Sequence, residues 1–172
     1  MGAAMTRVLL ITGARSLATR PGAEAWARAK IAAALAGCDL LIVGDAPGPD
    51  RWAMHEGLHL SHGVSVYWTR GKDAGWVLTP DEDGEAGYGG RWAPRGASTH
   101  PLARNAAMVA DAVRMRADGD DVLCLALLDG LKVDAPGQRA TRGTEHTVGL
   151  ARAAGLTVRE EVWRGTSKGA TP

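Results

Sequence analysis

Small and charged residues gather where apolar runs end, in a pattern suited to holding phosphate. Gly13-Ala14-Arg15 follows the run at 8–11 and Thr12. Gly44-Asp45-Ala46-Pro47-Gly48-Pro49-Asp50 follows the run at 40–43. Arg142-Gly143-Thr144-Glu145 comes after the run at 122–128 and a longer loop. Each glycine lies where a helix is expected to begin. The first N–H groups of a helix have no partner within it and carry partial positive charge, so they attract anions. A fourth group, Arg104-Asn105, stands just inside another expected helix.

Each group admits two readings. Gly13 lets the backbone come close to an anion, and Arg15 offers a two-pronged fork to phosphate; alone, the pair also fits a tight turn and a surface arginine. Asp50 is suited to a ribose hydroxyl and equally to capping the helix that starts beside it. Asp45 lies nearer the expected crevice, and Gly44 and Gly48 flank it. Arg104 and Asn105 are placed to meet a phosphate or base, or to be a solvated arginine and an asparagine bonding its own backbone. Thr144 caps a helix whose neighbouring N–H groups hold phosphate. Glu145 is a candidate acid/base group or a charge favoured at a positive helix end.

The elements needed to hold these groups follow from apolar periodicity. Strands are expected near residues 7–12, 39–44, 64–68, 122–128 and 156–163, the first, second and fourth as continuous apolar runs typical of a sheet buried on both faces. Helices are expected near 23–36, 49–61, 101–117 and 144–154. Gly37 ends the first, Pro49 opens the second, and Thr99 is the candidate cap of the third. Ala53, Gly57 and Leu60 form the expected packing stripe of the second helix. Residues 70–99 are glycine-rich and carry an acidic run, Trp76, Tyr88 and Trp92; they read as a long inserted loop and a possible lid or dimer contact. Residues 164–172 read as a frayed tail. The alternation implies a Rossmann-like, doubly wound parallel sheet of about five strands in the order 3-2-1-4-5, with helices on both faces. The reversal beside the first strand opens a crevice at the carboxyl ends of the strands, where such folds bind ligands.

Composition narrows the classes. The 172 residues are 45% hydrophobic, enough for one domain with one core. A net charge of +1 supplies no broad field for a nucleic-acid backbone, so such a partner is not expected. Cys38 and Cys124 stand among apolar residues and read as buried free thiols in a reducing cytosol. Trp26, Trp52, Trp68 and Trp163 fit element faces as packing residues. No apolar run reaches the length of a membrane span and the start lacks a signal peptide, so a cytoplasmic protein is expected. His55-Glu56-Gly57-Leu58-His59 matches the zinc-peptidase pattern H-E-x-x-H. It falls in a helix that must pack on the sheet and has no evident third ligand, so it reads as a chance match and no metal is expected.

Taken in order, Thr12-Gly13-Ala14-Arg15, the turn 44–50, Arg104-Asn105 with Met108, and Arg142-Gly143-Thr144 resemble the SLOG superfamily, and within it the YspA/YpsA-like branch. The resemblance spans nearly the whole chain. It implies a Rossmann-like fold that binds nucleotides or molecules derived from them, with Thr12, Gly13, Arg15, Gly44, Asp45, Gly48, Asp50, Arg104, Asn105, Arg142, Gly143 and Thr144 as ligand contacts. The superfamily also contains the Lonely Guy phosphoribohydrolases, a DNA-uptake branch that binds single strands, and proposed ligand sensors. The Lonely Guy pattern GGxGTxxE places its catalytic glutamate where this chain has Thr147.

Three functions are therefore in view. The first is a nucleotide sensor or carrier, acting without a resident cofactor and as a homo-oligomer, with phosphate on the N-termini of the third and fourth helices. The second is an N-glycosidic-bond hydrolase, which would need Glu145, Asp50 or Asp45 in an unusual role. The third is a single-stranded nucleic-acid binder.

Overall fold

The computed structural model describes residues 5–60, 63–69, 91–98, 100–131 and 142–165, with the side chains of 68–69, 91–98 and 142 left aside. The strands are β1 (Arg7–Gly13), β2 (Leu40–Gly44), β3 (Gly63–Thr69), β4 (Arg91–Ser98), β5 (Asp121–Asp129) and β6 (Thr157–Trp163). The helices are α1 (Ala23–Leu35), α2 (Pro49–His59), α3 (Pro101–Ala117) and α4 (Arg142–Ala153), and a 3-10 turn spans Arg15–Thr19.

All strand pairs are parallel, in the order β4-β3-β2-β1-β5-β6. The five expected strands keep their expected order within this Rossmann-like sheet. One strand, β4, was not expected, because it lies inside the span 70–99 read as a loop. Its sequence, Arg-Trp-Ala-Pro-Arg-Gly-Ala-Ser, has neither an apolar run nor β-branched residues, and Pro and Gly argue against a strand. An edge position removes that objection, since an edge strand pairs on one side and tolerates proline. Pro94 lies opposite Val66, and the register shifts between Val66 and Trp68.

β1 runs through the middle of the sheet, and its side chains alternate between two cores. Leu9 and Ile11 join Ile31, Leu35, Trp52 and Leu58 of α1 and α2. Val8 and Leu10 join Met108, Val109, Ala112 and Ala151 of α3 and α4. The register Val8↔Leu40 on one side and Val8↔Val122 on the other aligns the carboxyl ends of β1, β2 and β5. That alignment is what gathers the loops of the candidate site.

Trp52 and Trp163 are buried as expected, and Trp26 packs half-buried beside them. The stripe expected on α2 needs one correction. Ala53 and Gly57 are buried, but Leu60 is 46% exposed, because α2 ends at His59 and leaves it past the last turn. Leu58 fills the core in its place. Cys124 is buried, and burial pushes its thiol up to about 12; Cys38 is only half-buried and donates its S–H to the Ala34 carbonyl. Edge strand β6 carries Arg159, Glu160 and Glu161, charges that discourage pairing with another chain. Among the described residues no helix is long and apolar enough to cross a membrane. Trp76, Tyr88, the acidic run at 81–85, most of the loop before α4, and residues 166–172 lie outside the described residues, as do the side chains of Trp68 and Trp92.

Candidate functional site

A cavity of about 440 Å³ opens at the carboxyl ends of β1 and β2, next to the reversal of strand order between β1 and β5. Thr12, Gly13 and Arg15 line it from β1 and the turn that follows. Ala46 and Asp50 line it from the start of α2. His100, Pro101, Leu102, Arg104 and Asn105 line it from α3, and Gly143 and Thr144 from α4. Eight of the residues picked from sequence therefore meet in one cavity although they span more than 130 positions of chain.

Arg104 is the hub beneath the cavity. It is 5% exposed. Its guanidinium forms a close ion pair with Asp45 and lies 3.8 Å from Asp50. Its Nε and second terminal nitrogen both donate to Asn105 Oδ1, at 3.0 and 2.8 Å. Asn105 Nδ2 passes the chain on, donating to the Gly143 carbonyl at 3.0 Å, which also accepts from Thr147 Oγ at 3.0 Å. A continuous polar network thus ties β2, α2, α3 and α4 together under the cavity. It satisfies the buried groups that would otherwise be costly.

The network explains Gly44. A Cβ there would lie 2.5 Å from Asp50 Oδ2 and 2.9 Å from Arg104 Cζ, so the glycine makes room for the ion pair rather than for a ligand backbone. Gly13 is similar, since a Cβ would overlap Pro49 and sit 2.5 Å from its Cγ. The proline ring cannot rotate away. Gly13→Ala is expected to cost about 1–3 kcal/mol through overpacking, measured as a fall in the denaturant midpoint at unchanged slope. Gly48 occupies the N-cap of α2 at φ 87° and ψ −131°, a conformation that only glycine adopts without strain. It packs near Ala18 and is not among the cavity's lining residues.

The walls differ in charge. Arg15 is exposed, and its guanidinium makes no ion pair or hydrogen bond among the described residues. Asp50 is 4% exposed, and burial pushes its carboxyl up to about 6. Arg104, the Ala46 N–H and Arg15 pull it down, while the Asp45 charge adds to the rise.

The two helix ends also differ. The cap of α3 is His100, whereas sequence had offered Thr99. Its Nδ1 accepts from the Leu102 N–H at 3.1 Å and its carbonyl accepts from the Arg104 N–H. Pro101 has no N–H. The first turn of α3 is therefore largely satisfied already. α4 brings Gly143 and Thr144 to the cavity, and the N–H groups of its first turn have no partner within the helix. A Cβ on Gly143 would come no closer than 3.6 Å to Asn105 Nδ2.

Comparison with known proteins adds a likeness of fold. One structure that the chain resembles is DNA processing protein A (DprA) from Streptococcus pneumoniae. The match has 13% sequence identity and a TM-score of 0.40, and covers 90% of this chain and 58% of that one. No protein-family model matches the sequence, and no curated protein does.

The remaining sequence candidates lie elsewhere. Glu145 is exposed and is not among the lining residues. Thr147, at the position of the Lonely Guy glutamate, is fully buried and bonds back to its own helix. Asp45 sits behind the cavity, paired with Arg104. The Arg142 side chain is outside the described residues. His55, Glu56 and His59 line a separate surface groove with Arg28, whose guanidinium holds Glu56 at 2.8 Å. Among the described residues no group of three or more His, Cys, Asp or Glu is arranged to hold a metal. Sequence reasoning missed Ala46, His100, Pro101 and Leu102 as lining residues. Their one signal was position, beside the turn after β2 and at the opening of α3.

Proposed function

We propose that this protein binds a nucleotide or nucleotide-derived molecule in the cavity at the carboxyl edge of the sheet, as a sensor or carrier. One observation carries the reading: the exposed Arg15 and the first turn of α4 converge on a cavity large enough for a mononucleotide. An arginine fork and a helix N-terminus are the two commonest phosphate partners, and here they share one space. Arg104 is not the phosphate ligand in this reading, because its charge is spent on Asp45 and Asp50.

Thermal melting against nucleoside mono-, di- and triphosphates, NAD, ADP-ribose, cyclic nucleotides and single-stranded oligonucleotides tests the proposal. A ligand at 100 times its Kd adds about 2.7 kcal/mol of stability. Arg15→Ala should weaken the responding ligand by about 10- to 100-fold, the value of a charge-assisted hydrogen bond. A panel without any shift would end the reading.

A second reading, N-glycosidic hydrolysis, rests on Asp50. It is the carboxylate among the described lining residues, and its raised pKa suits proton transfer near neutral pH. Release of free base from the binding nucleotide, lost in Asp50→Asn, would support it.

A further inference from the structure

We propose that the cavity selects ribose over deoxyribose, with Asp50 accepting hydrogen bonds from the vicinal sugar hydroxyls of the bound nucleotide. The inference rests on the nucleotide-binding reading above and specifies its substrate class.

The second charged side chain of the lining, Asp50, carries the motive. A carboxylate offers about four acceptor sites and, while ionised, no donor. The Ala46 N–H fills one of those sites on Asp50. Arg104 stands at 3.8 Å, beyond hydrogen-bond reach, and donates instead to Asp45 and Asn105. Asp50 is thus 96% buried, lines the cavity, and keeps unused acceptor capacity there. A carboxylate with spare acceptor sites on a cavity wall is suited to a donor from whatever fills the cavity.

The nature of the donor follows from its surroundings. Phosphate oxygens are repelled by a carboxylate, so the anionic end of the ligand belongs at Arg15 and α4. Arg15 is close enough for its charge to act on Asp50, so the donor sits near the phosphate. Sugar hydroxyls are fewer bonds from a 5′-phosphate than any amino group of a base. Two neighbouring hydroxyls also match the two oxygens of one carboxylate. The fold brings this about through Gly44, whose missing side chain lets Asp50 lie over the end of β2.

The test is a set of titrations by calorimetry with the four ribonucleoside 5′-monophosphates, their 2′-deoxy counterparts and inorganic phosphate. The chain is used whole, as wild type and as Asp50→Asn. A ribonucleotide is expected to bind wild type about 10- to 100-fold tighter than its deoxy form. In Asp50→Asn that ratio should fall toward unity while the deoxy form still binds. Equal wild-type affinity for both sugars overturns the proposal and leaves nucleotide binding standing. A ratio unchanged in Asp50→Asn also overturns it, since another group then reads the sugar. Binding of phosphate alone, with no nucleotide of either kind, overturns it as well. No response to any probe overturns both this proposal and the reading beneath it. Should Asp50→Asn fail to fold, the wild-type ratio decides.

Discussion

Arg104→Leu is expected to lower stability by about 3–5 kcal/mol at neutral pH, the cost of leaving buried charge uncompensated. Arg104 is the cation between two buried carboxylates, Asp45 and Asp50, each 4% exposed. Leucine would fill part of the space and remove every donor. Asn105 Oδ1 would lose both of its guanidinium partners, leaving its amide with the Gly143 link as its remaining tie across the network. The pH dependence has a definite sign. Without the cation two buried carboxylates stand uncompensated, so the variant recovers stability as pH falls and protons neutralise them. Urea melts at a series of pH values measure this. A loss under about 1 kcal/mol at neutral pH would show that the pair contributes little beyond its own desolvation.

Asp50→Asn should act in the opposite direction. Asp50 is raised from an ordinary value of 3.8 to about 6, chiefly by burial. The folded protein therefore holds this proton more tightly than the unfolded chain does. Stability from this group is full below the unfolded pKa and is lost as pH rises through the folded one. Two pK units correspond to roughly 3 kcal/mol. The asparagine variant carries no such loss and should be about 1–3 kcal/mol more stable than wild type above pH 6, with the gap closing toward about pH 4. Asp129 shifts the other way, since Arg20 and the Leu131 N–H help to outweigh its burial, and it is common to both proteins, so the difference between their curves isolates Asp50. If the two curves run parallel from pH 4 to 7, Asp50 does not titrate in this window.

The two expectations depend on different parts of the chain's information. The runs at 8–11, 40–43 and 122–128 announced their strands, because a strand covered on both faces must be apolar throughout. Of the glycines expected at helix starts, Gly48 and Gly143 stand at those of α2 and α4, whereas Gly13 leads into the 3-10 turn and Gly44 ends β2; the parallel alternation placed all four on one edge. That is why eight chosen residues line one cavity. β4 stayed hidden because an edge strand needs only backbone pairing, which Pro94 and Gly96 do not forbid at that position. The cap at His100 stayed hidden because histidine caps through a ring nitrogen, outside the usual Ser, Thr, Asp and Asn set.

Local pattern, then, determined the elements, their order in the sheet and the edge on which a ligand would sit, since periodicity and turn chemistry act over a few residues. Tertiary structure alone decided what each polar group does there. Arg104 finds Asp45 at a distance of 59 positions, and that encounter pairs a cavity-lining arginine with a buried carboxylate. Arg15 and Asp50 line the cavity beside it. The choice of partner for a charge depends on which loops meet and how far water is excluded where they meet, and neither is written in the spacing of residues along the chain.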